Sequence, residues 1–332
     1  MLMIASQTTS QPTALINLLE TPKITQGTNA VTYTLSTKNL GMEWNSLVLS
    51  WNIDLQPNQY VKFLVTPPNE EPFNLGIWSN LPGTPSTSIN DQKRNGYRVD
   101  TDTFSSENPL TEVKITVQWS GPKPPEFKLF SATLANKQAS KSPVQKLAPI
   151  PPLEVPTRAQ MSYPGGAVLC SPTCTSMVLA YWAKVLDRPF LDSDVPDVQK
   201  GCYDPAWKGT GNWSFNVAFA GSKPGIRAYV ARLWNVEQIA EWLKAKVPVV
   251  CSVSRAMLSG KPNKEPNDGH LVIVVGIDEN GDLIFNDPGK NQVRVTFKRE
   301  DFERAWATSS RTTYLIYPKT WITPENSDKV WL

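Results

Sequence analysis

The hydrophobic rhythm of this chain changes across a proline-rich stretch, and no single layer of secondary structure accommodates both sides of it. Before the stretch, apolar residues recur at every second position: Leu47, Leu49, Trp51, Ile53 and Leu55, then Val61, Phe63 and Val65, then Val113, Ile115, Val117 and Trp119. A period of two sends alternate side chains to opposite faces of a strand. Gaps such as Pro82-Gly83 and Pro122-Lys-Pro124 separate the runs, and short strands punctuated by turns predict an all-β sandwich. Between Asn136 and Thr157 the alternation gives way to Lys, Gln, Ser and five prolines. Ala148-Pro-Ile-Pro-Pro152 there predicts an extended, semi-rigid spacer. A chain of 332 residues exceeds what one compact core usually takes. The expected division is a β-sandwich over 1–135, a linker over 136–157, a second domain over 158–318 and a tail over 319–332.

Beyond the prolines the pattern is mixed. Pro172 suits a first helical turn, where its missing N–H would be unpaired anyway, and Met177, Val178, Tyr181 and Trp182 follow at helical spacing. Val236 to Lys246 reads as an amphipathic helix with Val236, Ile239, Ala240 and Leu243 on one face, and Val247-Pro-Val-Val-Cys-Ser-Val253 as a strand. Arg299 to Ala307 predicts a short helix and Thr313 to Tyr317 a strand. Asn280-Gly281 between two apolar runs predicts a hairpin, its first strand running from Leu271 to Ile277.

That hairpin carries the chain's single histidine, His270. Any imidazole acid/base chemistry must run through it. Cys170 lies at or just before the predicted helix start, where free backbone N–H groups and the helix dipole favour the thiolate, the form that attacks. Counting back from the Asn280-Gly281 turn brings Asp287 opposite a residue within about two positions of His270. A carboxylate there holds an imidazole in its useful tautomer. Each residue also has a plainer reading: Cys170 as a small buried residue, Asn286-Asp-Pro-Gly289 as an ordinary turn, His270 as a satisfied strand residue. The conjunction favours chemistry. Cys174, one helical turn after Cys170 and on the same face, is the alternative nucleophile or a disulfide partner. The four cysteines, Cys170, Cys174, Cys202 and Cys251, contain no Cys-x-x-Cys pair, so no zinc site or other cofactor is expected. Asp100 and Asp102 offer too few oxygens for calcium.

These residues resemble the stand-alone C39-like cysteine peptidases, a branch of the papain-like fold related to bacteriocin-leader peptidases. The resemblance covers residues 156–318. It is carried by Leu169-Cys-Ser-Pro-Thr-Cys-Thr-Ser-Met-Val-Leu179, Gly209-Thr-Gly-Asn-Trp-Ser-Phe-Asn216, Asp268-Gly-His-Leu-Val-Ile-Val-Val-Gly276 and Asn286-Asp-Pro288. It implies an α+β fold in which a helix bearing the nucleophile packs on an antiparallel sheet bearing the base. It also implies Cys170 as nucleophile, His270 as base, Asp287 as its orienting partner and an upstream glutamine, matched by Gln160, as an oxyanion donor. The implied activity is peptide-bond hydrolysis through a thioester acyl-enzyme. The same machinery serves an acyl or peptidyl transferase, and a chain keeping the fold without activity would be a binding protein. Residues 209–216 read as a glycine-rich loop presenting an aromatic, with Trp213, Asn212 and Asn216, and Gly269 beside the base, as substrate contacts.

The expected partner is a peptide or protein. Trp44, Trp51, Trp78, Tyr97 and Trp119 of the sandwich are either core residues or a platform for a cell-surface or other polymer ligand. Lysines and arginines total 33 against 30 acidic residues, with no long basic run, which argues against nucleic acid. No apolar stretch of 18 residues is present, so no membrane span is expected. The opening Met1-Leu-Met-Ile-Ala-Ser-Gln-Thr8 lacks the pattern of a signal peptide, whereas the resemblance leans towards a location outside the cell.

Overall fold

The computed structural model describes residues 12–27, 29–137 and 146–332. The opening residues read for an export signal, and 138–145 of the proline-rich stretch, lie outside the described residues. In chain order the first region holds β1 (Thr13–Asn17), β2 (Lys23–Gln26), β3 (Ala30–Ser36), β4 (Trp44–Asp54), β5 (Tyr60–Thr66), β6 (Phe73–Ser79), β7 (Gln92–Arg94), β8 (Tyr97–Asp100), β9 (Thr103–Leu110), β10 (Glu112–Trp119) and β11 (Glu126–Ala135). They form two antiparallel sheets, in orders β1-β11-β4-β9-β8-β7 and β2-β3-β10-β5-β6. The inner faces meet through aromatic rings: Trp51 of β4 stacks on Phe63 of β5 at 4.1 Å between centroids, and Phe63 tilts against Phe130 of β11 at 5.8 Å. Burying each such ring contributes about 1.5–3 kcal/mol, so the alternation of apolar residues explains the sandwich. Trp44, Trp51 and Trp119 are buried, and Trp78 and Tyr97 pack against the same core. These aromatics are core residues, not a surface platform.

The second region holds α1 (Cys170–Val185), α2 (Val195–Cys202), α3 (Trp213–Gly221), β12 (Ile226–Arg232), α4 (Val236–Lys244), β13 (Val249–Ser254), α5 (Arg255–Leu258), β14 (Gly269–Ile277), β15 (Leu283–Asn286), β16 (Arg294–Phe297), α6 (Arg299–Ala307) and β17 (Thr312–Pro318). One antiparallel sheet runs β12-β17-β13-β14-β15-β16. Helix α1 lies on it, with Ser171 Oγ and Tyr314 OH of β17 at 2.9 Å and Trp182 Nε1 donating to Ile316 O at 2.8 Å. The chain as a whole is α+β, an all-β region of two sheets followed by a helix-on-sheet domain.

Edge strand β12 shows how the regions join. An edge strand leaves a row of N–H and C=O groups unpaired, and here side chains of the sandwich satisfy them. Asn52 of β4 donates to Ala228 O at 2.8 Å and accepts from Ala228 N at 3.0 Å; Ser50 accepts from Val230 N at 2.9 Å, and Thr133 donates to Val230 O. The shorter, polar positions of β4 thus face the second domain rather than water, which is why the strand is buried on both faces. Helix α3 fills the same seam, with Ser214 Oγ donating to Leu49 O at 2.7 Å. A Cβ at Gly221 would stand 2.0 Å from Asn52 Nδ2, so only glycine lets α3 approach this closely.

Three expectations are corrected. The stretch predicted as a spacer is packed where it is described: Ile150 pairs with Ile277, with both N–H to O distances at 2.9 Å, and Leu153 N–H reaches Val275 O at 2.8 Å. Beyond position 319 the chain also packs, Trp321 against Trp182 and Trp331 against Trp242, while Leu15 of β1 donates to Lys329 O at 2.8 Å. The glycine-rich loop expected to run to Asn216 instead turns helical at Trp213. Among the described residues no helix is long and apolar enough to cross a membrane.

Candidate active site

Cys170 is the first residue of α1. Leu169 precedes it without a side-chain cap, leaving N–H groups of the first turn for a ligand. His270, buried, sits near the start of β14 opposite Val253 of β13. Its Nε2 lies 2.6 Å from Asp287 Oδ1. Asp287 follows β15, which the Asn280-Gly281 turn returns along β14 in the register Ile273 to Asn286. Gly289 N–H also donates to Asp287 Oδ1, at 2.9 Å, fixing the carboxylate's direction. With Asp287 holding Nε2–H, Nδ1 is the nitrogen left for the thiol.

Electrostatics set the protonation states. Burial alone raises the Cys170 thiol, but the hydrogen bond and charge of His270, with Arg255 further off, outweigh it and hold the thiol below its ordinary value. Burial depresses His270, yet the hydrogen bonds to Asp287 and Cys170 raise it to about 9. Burial likewise raises Asp287, and the hydrogen bond to His270 brings it below the usual carboxylate range. The three groups favour thiolate, imidazolium and carboxylate together.

Cys174 behaves oppositely. It is buried, its Sγ faces Leu271 O at 3.3 Å, and burial pushes its thiol well up. Cys202 and Cys251 are buried with raised thiols for the same reason, and all four cysteines are free. No Cys170–Cys174 disulfide forms.

The remaining candidates separate. Gln160 is buried at 1% exposure; its N–H donates to Pro288 O at 2.8 Å and its Nε2 to Gly166 O at 2.7 Å. It ties the turn ahead of Cys170 to the turn carrying Asp287, and it does not line the cleft. Asn212 caps α3, accepting from Phe215 N at 3.1 Å and donating to Asp204 at 3.0 Å. Asn216 is held by Thr210 O and Asn212 O, each at 2.8 Å. Both asparagines are buried and shape the loop instead of facing a substrate. Trp213 and Gly269 do line a cavity of about 720 Å³ that reaches Cys170 and His270.

The same cavity holds residues that sequence reasoning missed. Arg255 Nη2 stands 3.3 Å from His270 Nδ1, and Trp207, Asp102, Lys137 and Arg232 form other parts of the wall. Asp102 and Lys137 belong to the sandwich, so the cleft is built by both regions. Asp102 accepts the N–H of Trp213 and the hydroxyl of Thr103, and burial raises its carboxyl to about 6. Its place in the same cleft wall as Cys170 follows only from the docking of the two regions. Among the described residues no cluster of metal-ligating side chains occurs.

A helix presenting a cysteine to a histidine on an antiparallel sheet defines a cysteine-peptidase fold. The model of the Peptidase_C39 like family matches residues 152–314, just under half of the chain, and supports a C39-like family for this region. Among solved structures, a protein from Bacillus anthracis described as a C39-like peptidase is similar to it, with 17% identity and a TM-score of 0.41 over 52% of this chain and 99% of that one. No curated protein matches the chain.

Proposed function

We propose that the chain is a cysteine peptidase that hydrolyses amide bonds through Cys170, His270 and Asp287. The observation that carries the reading is a cysteine at a helix start that shares one cleft with an imidazole oriented by a buried carboxylate. His270 Nδ1 takes the thiol proton and the thiolate attacks the amide carbon. The tetrahedral oxyanion is received by the Cys170 N–H, which no backbone carbonyl takes among the described residues. The C–N bond breaks as the imidazolium gives its proton to the leaving amine, leaving a thioester on Cys170. Water, deprotonated by His270, then releases the acid and restores the thiol. Gln160 is proposed to support this geometry by tying Gly166 to the Asp287 turn. Trp213 and Gly269 are proposed substrate contacts.

The test is brief iodoacetamide labelling near pH 6 with peptide mass mapping, where Cys174, Cys202 and Cys251 serve as internal controls. A thiol of ordinary pKa is only ~0.1–1% thiolate at that pH, so selective modification of Cys170, lost in His270→Ala, is the expected result. Mass-spectrometric analysis of a peptide library should then show cleavage by the parent and none by Cys170→Ala. Equal or absent labelling of all four cysteines overturns the reading.

A further inference from the structure

Arg232 ends β12 inside the cleft wall, and its cation is poorly matched. It is 2% exposed. Of the five N–H donors of a guanidinium, one is used, Nε to Thr312 Oγ1 at 3.3 Å, and Nη1 is buried with no partner. Asp102 attracts it, but the Asp102 oxygens accept from Trp213 and Thr103, and among the described residues no carboxylate forms an ion pair with Arg232. Burial lowers Arg232 to about 10, with Asp102 opposing, so it stays charged at neutral pH. Among the described residues Lys137 Nζ, across the wall, donates to Ser105 Oγ at 3.2 Å; burial and then repulsion from Arg232 lower its ammonium, with the charge of Asp100 opposing. A fold gains nothing from a buried guanidinium left short of acceptors beside a cleft, and the Lys137 ammonium adds a second positive charge on the same wall. An incoming anion matches both, and the guanidinium fork fits a carboxylate.

The sheet register sets the distance to the reacting bond. Arg232 pairs with Thr312, Thr313 pairs with Cys251, and Ser252 pairs with Leu271, the neighbour of His270. Three strand spacings of ~4.8 Å separate Arg232 from that end of β14, which an extended peptide rising ~3.4 Å per residue covers in about four residues. Building on the peptidase reading, we propose that Arg232 and Lys137 form an anion subsite taking a substrate carboxylate, from an acidic side chain or a chain terminus, within about four residues of the scissile bond. The sandwich is then part of the specificity apparatus, since Lys137 comes from it.

The test uses the full chain carrying Cys170→Ala, so that binding is read without turnover. Fluorescence polarisation compares end-blocked neutral peptides, the same peptides with one glutamate scanned along them, and neutral peptides with a free C-terminal carboxylate. About tenfold tighter binding of one acidic set is expected, and the set that gains identifies the source of the carboxylate. Arg232→Gln should abolish the preference and Arg232→Lys restore part of it. Should the buried variants fail to fold, Lys137→Gln, at an exposed position, should weaken the preference several-fold. Equal binding of acidic and neutral peptides overturns the subsite while leaving the peptide cleft standing. Absence of binding by every peptide overturns both the subsite and the cleft as a peptide site, whereas the Cys170 labelling judges the nucleophile separately.

Discussion

His270 Nε2 and Asp287 Oδ1 stand 2.6 Å apart in a buried pocket, and in the proposed mechanism the contact fixes which imidazole nitrogen meets Cys170. Asp287 contributes orientation and charge, and two substitutions separate these. Asp287→Ala removes both and should lower kcat/KM by ~10²–10⁴. Asp287→Asn keeps an acceptor but loses the charge, so the alkaline limb of the pH–rate profile should move from near 9 towards the ordinary imidazole value. An unshifted limb in Asp287→Asn would show that the carboxylate charge does not hold His270 up.

The pKa directions also predict two pH profiles that diverge. Cys170 lies below its ordinary value, and His270 is raised to about 9. Peptide hydrolysis needs thiolate and imidazolium together, so kcat/KM should rise with Cys170 ionisation and fall as pH passes about 9. Alkylation needs the thiolate alone, so iodoacetamide reactivity of Cys170 should show no alkaline fall. The stability signs follow the same shifts. His270 contributes stability that is complete below pH 6.5 and lost as pH rises through about 9, whereas Cys170 contributes stability present above pH 9 and lost as pH falls through its lowered value. Parallel profiles for hydrolysis and alkylation would contradict the assignment.

Gly289 tests the site without removing a reacting group. A Cβ there would lie 3.2 Å from Asp287 Oδ1 and 3.3 Å from His270 Nε2, tighter than ordinary contact. Gly289→Ala should displace the imidazole by a few tenths of an ångström and slow kcat about tenfold or more. Thermal stability should change by less than about 1 kcal/mol, as for alanine at a position without backbone strain. An unchanged kcat would mean that the Asp287–His270 geometry is not limiting.

The hairpin bearing His270 was legible because an Asn-Gly turn and strand register need only neighbouring residues. The sandwich strands were legible for a related reason, since one face of each alternates towards a core. Strand β12 and helix α3 were not. Trp213 to Gly221 is apolar nearly all round because α3 lies between β4 and β12, so it lacks the stripe that marks a surface helix. Tyr229, Val230 and Ala231 are consecutive and buried, which erases the alternation of β12. Arg232 and Asp102 stand far apart in sequence and share a wall only once the regions dock. A cation interrupting an apolar run, as Arg232 does between Ala231 and Leu233, was the one local sign of that wall.

Asn52 offers the sharpest test of the seam between the regions. Its amide gives and takes a hydrogen bond at Ala228, standing in for the neighbouring strand that β12 lacks. Asn52→Ala leaves two buried backbone groups unpaired, at ~1–3 kcal/mol each. The thermal midpoint should therefore fall by roughly 4–24 °C, at ~2–4 °C per kcal/mol for a chain of this order of size. The consequence for the cleft is separable, because Cys170, His270 and Asp287 all lie in the second region while Asp102 and Lys137 come from the sandwich. Loosening the seam should raise KM for a cleaved peptide and leave the iodoacetamide rate at Cys170 unchanged. A fall in both together would place the effect in the catalytic residues, and an unchanged midpoint would show that Asn52 does not hold the two regions together.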